Sequence, residues 1–172
     1  MTRSPSREMS VSDSVVVAAD PDRVWAEIAD PAQMGRWSPE NTGATTPAPG
    51  PLAVGEVFVG ANRRGRARWH TRCRVTASEP GRRFAFRVER IGGRRPLLSA
   101  SIATWDYTFE PVEGGTRVTE TWYDDRRAWP DGLAAVFDKA VTGGRLFSDF
   151  QRRNIARTLA NLKTELEAAP QP

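Results

Sequence analysis

Few residues in this sequence combine the type and the spacing that chemistry requires. The single cysteine, Cys73, and the single histidine, His70, exclude an intramolecular disulfide, a multi-cysteine metal site and a His-based zinc site. As a nucleophile pair they are badly placed. Three residues apart on one predicted strand, they point to opposite faces. Glu120 is more pointed. It shares parity with Val118 and Trp122 on the last predicted strand, which turns an ionisable carboxyl toward the apolar side of a sheet. Burying a carboxylate costs several kcal/mol unless it is paired or protonated. Two readings stay open: a salt bridge at the sheet margin with an arginine such as Arg157, or a carboxyl that orients a ligand or acts as an acid/base. Tyr107 and Thr71 are sent to the same side. Asn62 reads equally as a second ligand hydrogen bond or as a turn-stabilising residue before Arg63-Arg64-Gly65. No catalytic residue is assigned, and no metal or cofactor is expected.

The elements that must position these groups are strands. Turn signals divide the middle of the chain into strand candidates over Glu56–Asn62, Arg66–Ser78, Arg83–Ile91, Ala100–Pro111 and Gly115–Asp124. Each alternates. Trp69, Thr71, Cys73 and Val75 oppose Arg68, His70, Arg72 and Arg74. Phe84, Phe86 and Val88 oppose Ala85, Arg87 and Glu89, while Ala103, Trp105, Tyr107 and Phe109 oppose Thr104, Asp106, Thr108 and Glu110. A sheet with one apolar and one charged face is covered on one side only. Its charged face carries both signs, so arginines and carboxylates can pair across strands for about 0.2–1 kcal/mol each.

The cover comes from the ends of the chain. Ser10–Ala18 reads as a first strand. Asp20-Pro21 starts a short helix that Asp30-Pro31 closes, and Pro31 starts a second helical turn ending at Pro39. Leu146, Phe147, Phe150, Ile155, Leu159, Leu162 and Leu166 then form an apolar stripe at helical spacing, set off by Gly143-Gly144 from a shorter helix over Gly132–Val141. The expected architecture is α+β: a curved antiparallel sheet of about seven strands around one long C-terminal helix, with two short helices after the first strand.

Length and composition set the outer bounds. A chain of 172 residues with 39% hydrophobic and 27% charged residues fits one soluble domain, expected over residues 10–168 between tails at 1–9 and 169–172. No stretch approaches the roughly 18 apolar residues of a membrane span, and the first residues show no apolar leader core, so a cytoplasmic location is expected. All but two of the 25 basic residues are arginine, the usage of a G+C-rich, actinobacterial-type genome. Because they are spread among 21 acidic residues, a mixed-charge surface is expected and nucleic acid is not.

Local wording narrows the choice further. Asp20-Pro21-Asp22-Arg23-Val24-Trp25, Ala29-Asp30-Pro31 and Trp37-Ser38-Pro39-Glu40 stand in an order that resembles bacterial polyketide cyclase/dehydrase-like proteins of the START/Bet v 1 (SRPBCC) superfamily. Gly55-Glu56-Val57-Phe58, Asn62-Arg63-Arg64-Gly65, Glu79-Pro80-Gly81 and Gly115-Thr116-Arg117-Val118-Thr119-Glu120 continue the likeness over nearly the whole chain. The resemblance implies the helix-grip fold, with a cavity between sheet and helix for lipids, sterols or polyketides. The Cys-x-His iron ligands of ring-hydroxylating relatives are absent.

Projecting the apolar parities inward places Trp69, Cys73, Phe84, Phe86, Trp105, Tyr107 and Trp122 on the concave face, with Thr71 and Glu120 among them. Phe147, Phe150 and Asn154 form the helix side, and Trp37 and Phe58 stand near the mouth. Core packing explains any one of these residues; together, rigid aromatics on a curved sheet cannot all meet one helix at close packing. The leading expectation is therefore a monomer or homodimer that binds or carries a hydrophobic small molecule. Alternatives are a cyclase or aromatase acting on such a molecule, and a regulatory or antitoxin-like interaction protein.

Overall fold

A computed structural model describes residues 7–99 and 101–168. The expected α+β architecture is present. Strand β1 (Ser10–Val17) leads into helix α1 (Pro21–Ile28) and a 3₁₀ turn over Pro31–Arg36. Asp20 caps α1 by accepting from the Arg23 amide, and Asp30 caps the next turn by accepting from Ala32. A proline follows each cap, where its fixed φ suits a first helical turn. The sheet continues with β2 (Asn41–Thr45), β3 (Val57–Arg64), β4 (Ala67–Glu79), β5 (Arg83–Gly92), β6 (Leu98–Ser99), β7 (Ala103–Val112) and β8 (Gly115–Asp124). Helices α2 (Asp131–Thr142) and α3 (Phe147–Ala168) complete the chain.

All neighbouring strands are antiparallel, in the order β1-β8-β7-β5-β4-β3-β2, and β6 pairs with β5. The sheet curls into a half-barrel around α3. Two register shifts between β4 and β5 contribute, because bulges add local twist. The outward face is a lattice of ion pairs. Glu89 takes Arg72 and Arg74, Asp106 takes Arg83, and Glu110 takes Arg117. The arginines stay part-exposed to solvent although Asp106 is buried, and part-exposed pairs of this kind contribute modestly to stability.

Helix α3 makes two kinds of contact along its length. Ile155, Leu159, Leu162 and Leu166 are all 2% exposed or less and close the solid core with Val17, Val24, Ile28 and Val118. Toward its N-terminus the inward residues are Phe147, Gln151, Asn154 and Thr158. That end is held by charge. Arg126, 2% exposed, donates to Asp124 through Nη2 and to Asp138 of α2 through Nη1, both at 2.7 Å. The second oxygen of Asp138 accepts the Phe147 amide at 3.0 Å, satisfying one of the free N–H groups that begin α3.

Three details depart from the sequence expectation. Arg7, Glu8 and Met9 fall in the expected N-terminal tail, yet they are engaged. The Met9 carbonyl accepts from the Asp124 amide, Arg7 donates to the Arg126 carbonyl, and Glu8 pairs with Arg152. Strand β6 forms where only a loop is expected, because two residues give no alternation to read. Ile91 turns inward although its parity with Arg87 and Glu89 is outward, since the bulge at Glu89 reverses the phase of β5. Residues 1–6, Ala100 and the 169–172 tail lie outside the described residues. Among the described residues, no helix is long and apolar enough to cross a membrane.

Replacing Leu159 with alanine removes a side chain that is 2% exposed under the sheet, so Leu159→Ala is expected to destabilise by about 2–5 kcal/mol. A urea titration showing less than about 0.5 kcal/mol would mean that α3 does not dock on this stripe.

Candidate ligand-binding site

Where the stripe of α3 turns from aliphatic to aromatic and polar, helix and sheet separate. The space between them is a cavity of about 510 Å³. Strands β4, β5, β7 and β8 supply one wall through Trp69, Phe86, Trp105 and Trp122. Phe58 meets Phe86 edge-on with ring centroids 5.2 Å apart, and Phe147 stacks on Trp122 at 6.2 Å and 27°. Rigid rings that already pack against each other cannot collapse inward to fill the gap.

Of the residues that the sequence sends to the site, Trp37, Phe58, Asn62, Trp69, Thr71 and Cys73 line the cavity. So do Phe86, Trp105, Tyr107, Glu120, Trp122, Phe147 and Asn154. Phe150 does not. On a helix it sits about 60° off the line through Phe147, Gln151, Asn154 and Thr158, so its ring leaves the cavity and lies under the Arg64 guanidinium, 4.1 Å away. Trp37 and Phe58 are not at the mouth. Both are only 2% exposed and form inner wall.

Several lining residues are not singled out by the sequence analysis. Gln151 and Thr158 carry a readable signal, since they follow Phe147 at helical intervals of four and eleven. Ile91 has none, because the bulge is a tertiary event. Phe137, Ala140 and Val141 come from α2, whose placement depends on the buried Arg126 cluster.

The polar chemistry of the wall centres on Glu120. It is 2% exposed, and its Oε1 accepts the Tyr107 hydroxyl at 2.8 Å. No arginine reaches it. Arg157, the partner expected at the sheet margin, is exposed on α3, about 90° around the helix from the inward line, and lines the neighbouring recess. Oε2 is buried without any partner. Burial pushes the Glu120 carboxyl up to about 8 and the charge of Asp13 adds to that; the Tyr107 hydrogen bond offsets only part of it. The carboxyl is therefore protonated at neutral pH and carries an O–H donor into an apolar wall. Burial next to Glu120 also holds the Tyr107 phenol well above its usual range.

Other candidate groups are quiet. Asn62 Nδ2 donates to Thr71 Oγ1 and to the Gly60 carbonyl, both at 3.3 Å, which braces the β3–β4 wall. Cys73 is buried and its thiol is pushed up to about 12, so it is no nucleophile at neutral pH. His70 points away from it and meets the Gly93 carbonyl through Nδ1 at 2.6 Å. Among the described residues, no group of three or more His, Cys, Asp or Glu side chains could hold a metal ion.

This geometry can be set beside known proteins. The family model described as polyketide cyclase/dehydrase and lipid transport matches residues 8–167. The chain belongs to that family. No curated protein matches the sequence significantly. Among solved structures, protein CV1439 from Chromobacterium violaceum is 14% identical with a TM-score of 0.65, over 94% of this chain and all of the other. The polyketide cyclase-like protein Cgl2372 from Corynebacterium glutamicum is 26% identical with a TM-score of 0.53, over 94% of this chain and 93% of its own. DynU16, a protein of the dynemicin biosynthetic locus, is 17% identical with a TM-score of 0.62, and this family member spans 48% of it. At such identities the first and third of these show the fold alone.

Protonated Glu120 makes stability depend on pH. Its folded value of about 8 lies above the ordinary carboxyl value of 4.5, so between them the native state binds the extra proton. The benefit is fully present below the unfolded value and is lost as pH rises through the folded one. Stability should therefore fall between about pH 5 and pH 8, by at most about 1.4 kcal/mol per pH unit from this group. Urea midpoints of Glu120→Gln should lose that slope. An identical pH profile in the variant would show that Glu120 is already ionised.

Proposed function

We propose that this protein binds or carries a hydrophobic small molecule, lipid-like or polyketide-like, in the cavity between the sheet and α3. One observation carries the reading: an aromatic-walled space of about 510 Å³ in which a buried carboxylic acid keeps an oxygen without a partner. Such a space lies within the size range of small-molecule sites, which are apolar with a few placed polar groups. A ligand with a carbonyl or hydroxyl oxygen near Glu120 would accept its proton in a hydrogen bond and repair the unsatisfied group. The ring faces of Trp69, Trp105 and Trp122 would supply most of the contact area. Thr71, Asn62, Asn154, Thr158 and Gln151, whose side-chain oxygen is also buried without a partner, are further polar side chains of the wall.

A second reading has support of its own. A carboxyl held near 8 lies close to the working pH, which suits a general acid/base, so the same pocket fits a cyclase-type enzyme acting on a polyketide-like substrate. A non-catalytic ligand-binding role is the favoured form, because the group that hydrogen-bonds Glu120 is Tyr107, whose phenol is held well above its usual range and so is ill suited to exchange protons near neutral pH.

A flat aromatic polyketide, sterol or long-chain fatty acid should change tryptophan emission saturably, with micromolar-range affinity. Bound ligand should raise stability by about 2.7 kcal/mol at a hundredfold excess over Kd. Glu120→Gln separates the two readings. In a carrier it should change affinity by about tenfold or less. In an enzyme it should leave affinity alone and lower turnover by about 10²–10⁴. Absence of saturable binding by all three ligand types would defeat both.

A further inference from the structure

Beside the cavity is an open recess to which five arginines contribute. Arg63 and Arg64 reach it from β3, Arg145 from the turn before α3, and Arg153 and Arg157 from successive turns of α3. Its one carboxylate, Glu40, is already taken by Arg64 Nε at 2.5 Å. Elsewhere on the surface each of several arginines has an acid to meet, as on the outward sheet face. Here Arg145, Arg153 and Arg157 make no ion pair with any described residue, and all three are exposed. Like charges gathered without compensation repel, and an arriving anion removes that cost. Guanidinium groups suit carboxylate and phosphate in particular, since their planar donors pair with two oxygens at once.

The recess is not separate from the cavity. Glu40, Arg64 and Asn154 line both. Arg64 stands at the junction, its guanidinium 5.4 Å from the Trp69 ring on the cavity side and 4.1 Å from the Phe150 ring on the recess side. It is held there by Glu40 and by the Val141 carbonyl of α2. This placement gives Phe150 and Arg157, which the sequence assigned elsewhere, a common location.

We infer that the recess binds the anionic end, carboxylate or phosphate, of the same molecule whose apolar body occupies the cavity, so that the ligand is an amphipathic anion. The inference rests on the binding role proposed above and narrows its ligand class.

The test compares three probes of equal chain length, below their micellar concentrations: dodecanol, dodecanoate and dodecyl phosphate. Tryptophan emission and calorimetry give Kd for the wild type and for the triple variant Arg145→Gln/Arg153→Gln/Arg157→Gln, whose sites are exposed and outside the core. The wild type should prefer an anionic probe over dodecanol by about tenfold or more at low salt. The variant should lose most of that preference while binding dodecanol as before, and 0.5 M salt should weaken the anions alone. Dodecanoate against dodecyl phosphate then distinguishes a carboxylate from a phosphate end. Equal binding of all three probes by the wild type would overturn the recess and leave the cavity reading standing. Persistence of the anion preference in the variant would overturn it too, placing the charge elsewhere. Failure of dodecanol and both anions to bind would remove the cavity reading and this inference together.

Discussion

The Arg126 guanidinium sits between Asp124 at the end of β8 and Asp138 on α2, out of water on all sides, and the geometry of the cavity depends on it. A buried ion pair adds little net stability, because desolvation offsets most of its attraction, yet breaking one leaves a bare charge that costs about 3–5 kcal/mol. Its effect here is positional. Asp138 also accepts the first amide of α3, so one carboxylate joins the sheet, α2 and the start of the long helix. Three rings, Trp129, Phe137 and Phe147, enclose the guanidinium at 4.9–5.7 Å and shield it from solvent.

That fixed corner lets α3 stand off the sheet without being loose. Apolar burial secures its C-terminal half through Ile155, Leu159, Leu162 and Leu166. Its N-terminal half gains little from such contact and is held by charge and by the Trp122–Phe147 stack instead. A helix packed along its whole length would leave no internal volume. Dividing the two kinds of attachment along one helix keeps a stable core at one end and an open space at the other.

The open space changes the chemistry of what lines it. Glu120 would be an ordinary carboxylate on the outer face, where Glu89, Asp106 and Glu110 all find arginines. On the inner face the only hydrogen-bond donor it meets is a phenol, and neutralisation is less costly than ionisation. The wall around Glu120 and Tyr107 thereby carries no charge while keeping a donor. The cations gather at the rim instead, where water still screens them.

The alternation of β4, β5, β7 and β8 was legible in the sequence, because a period of two with one apolar parity has a single physical meaning in a sheet covered on one side. The same holds for the caps at Asp20 and Asp30, the stripe of α3 and the inward turn of Glu120. Ile91 was not legible, since its facing depends on a bulge formed with a partner strand. The placement of Phe150 was not either: sequence spacing puts it on the apolar side of α3, but which edge of that stripe looks into the cavity depends on how the helix is docked on the sheet. The partner of Glu120 was open in sequence and decided by reach, as Tyr107 stands in register across β7–β8 while Arg157 is exposed on a neighbouring face of α3. Local pattern determined which face each side chain takes, because that follows from backbone period alone. Only tertiary structure decided which of those faces meet, and therefore where packing stops and the cavity begins.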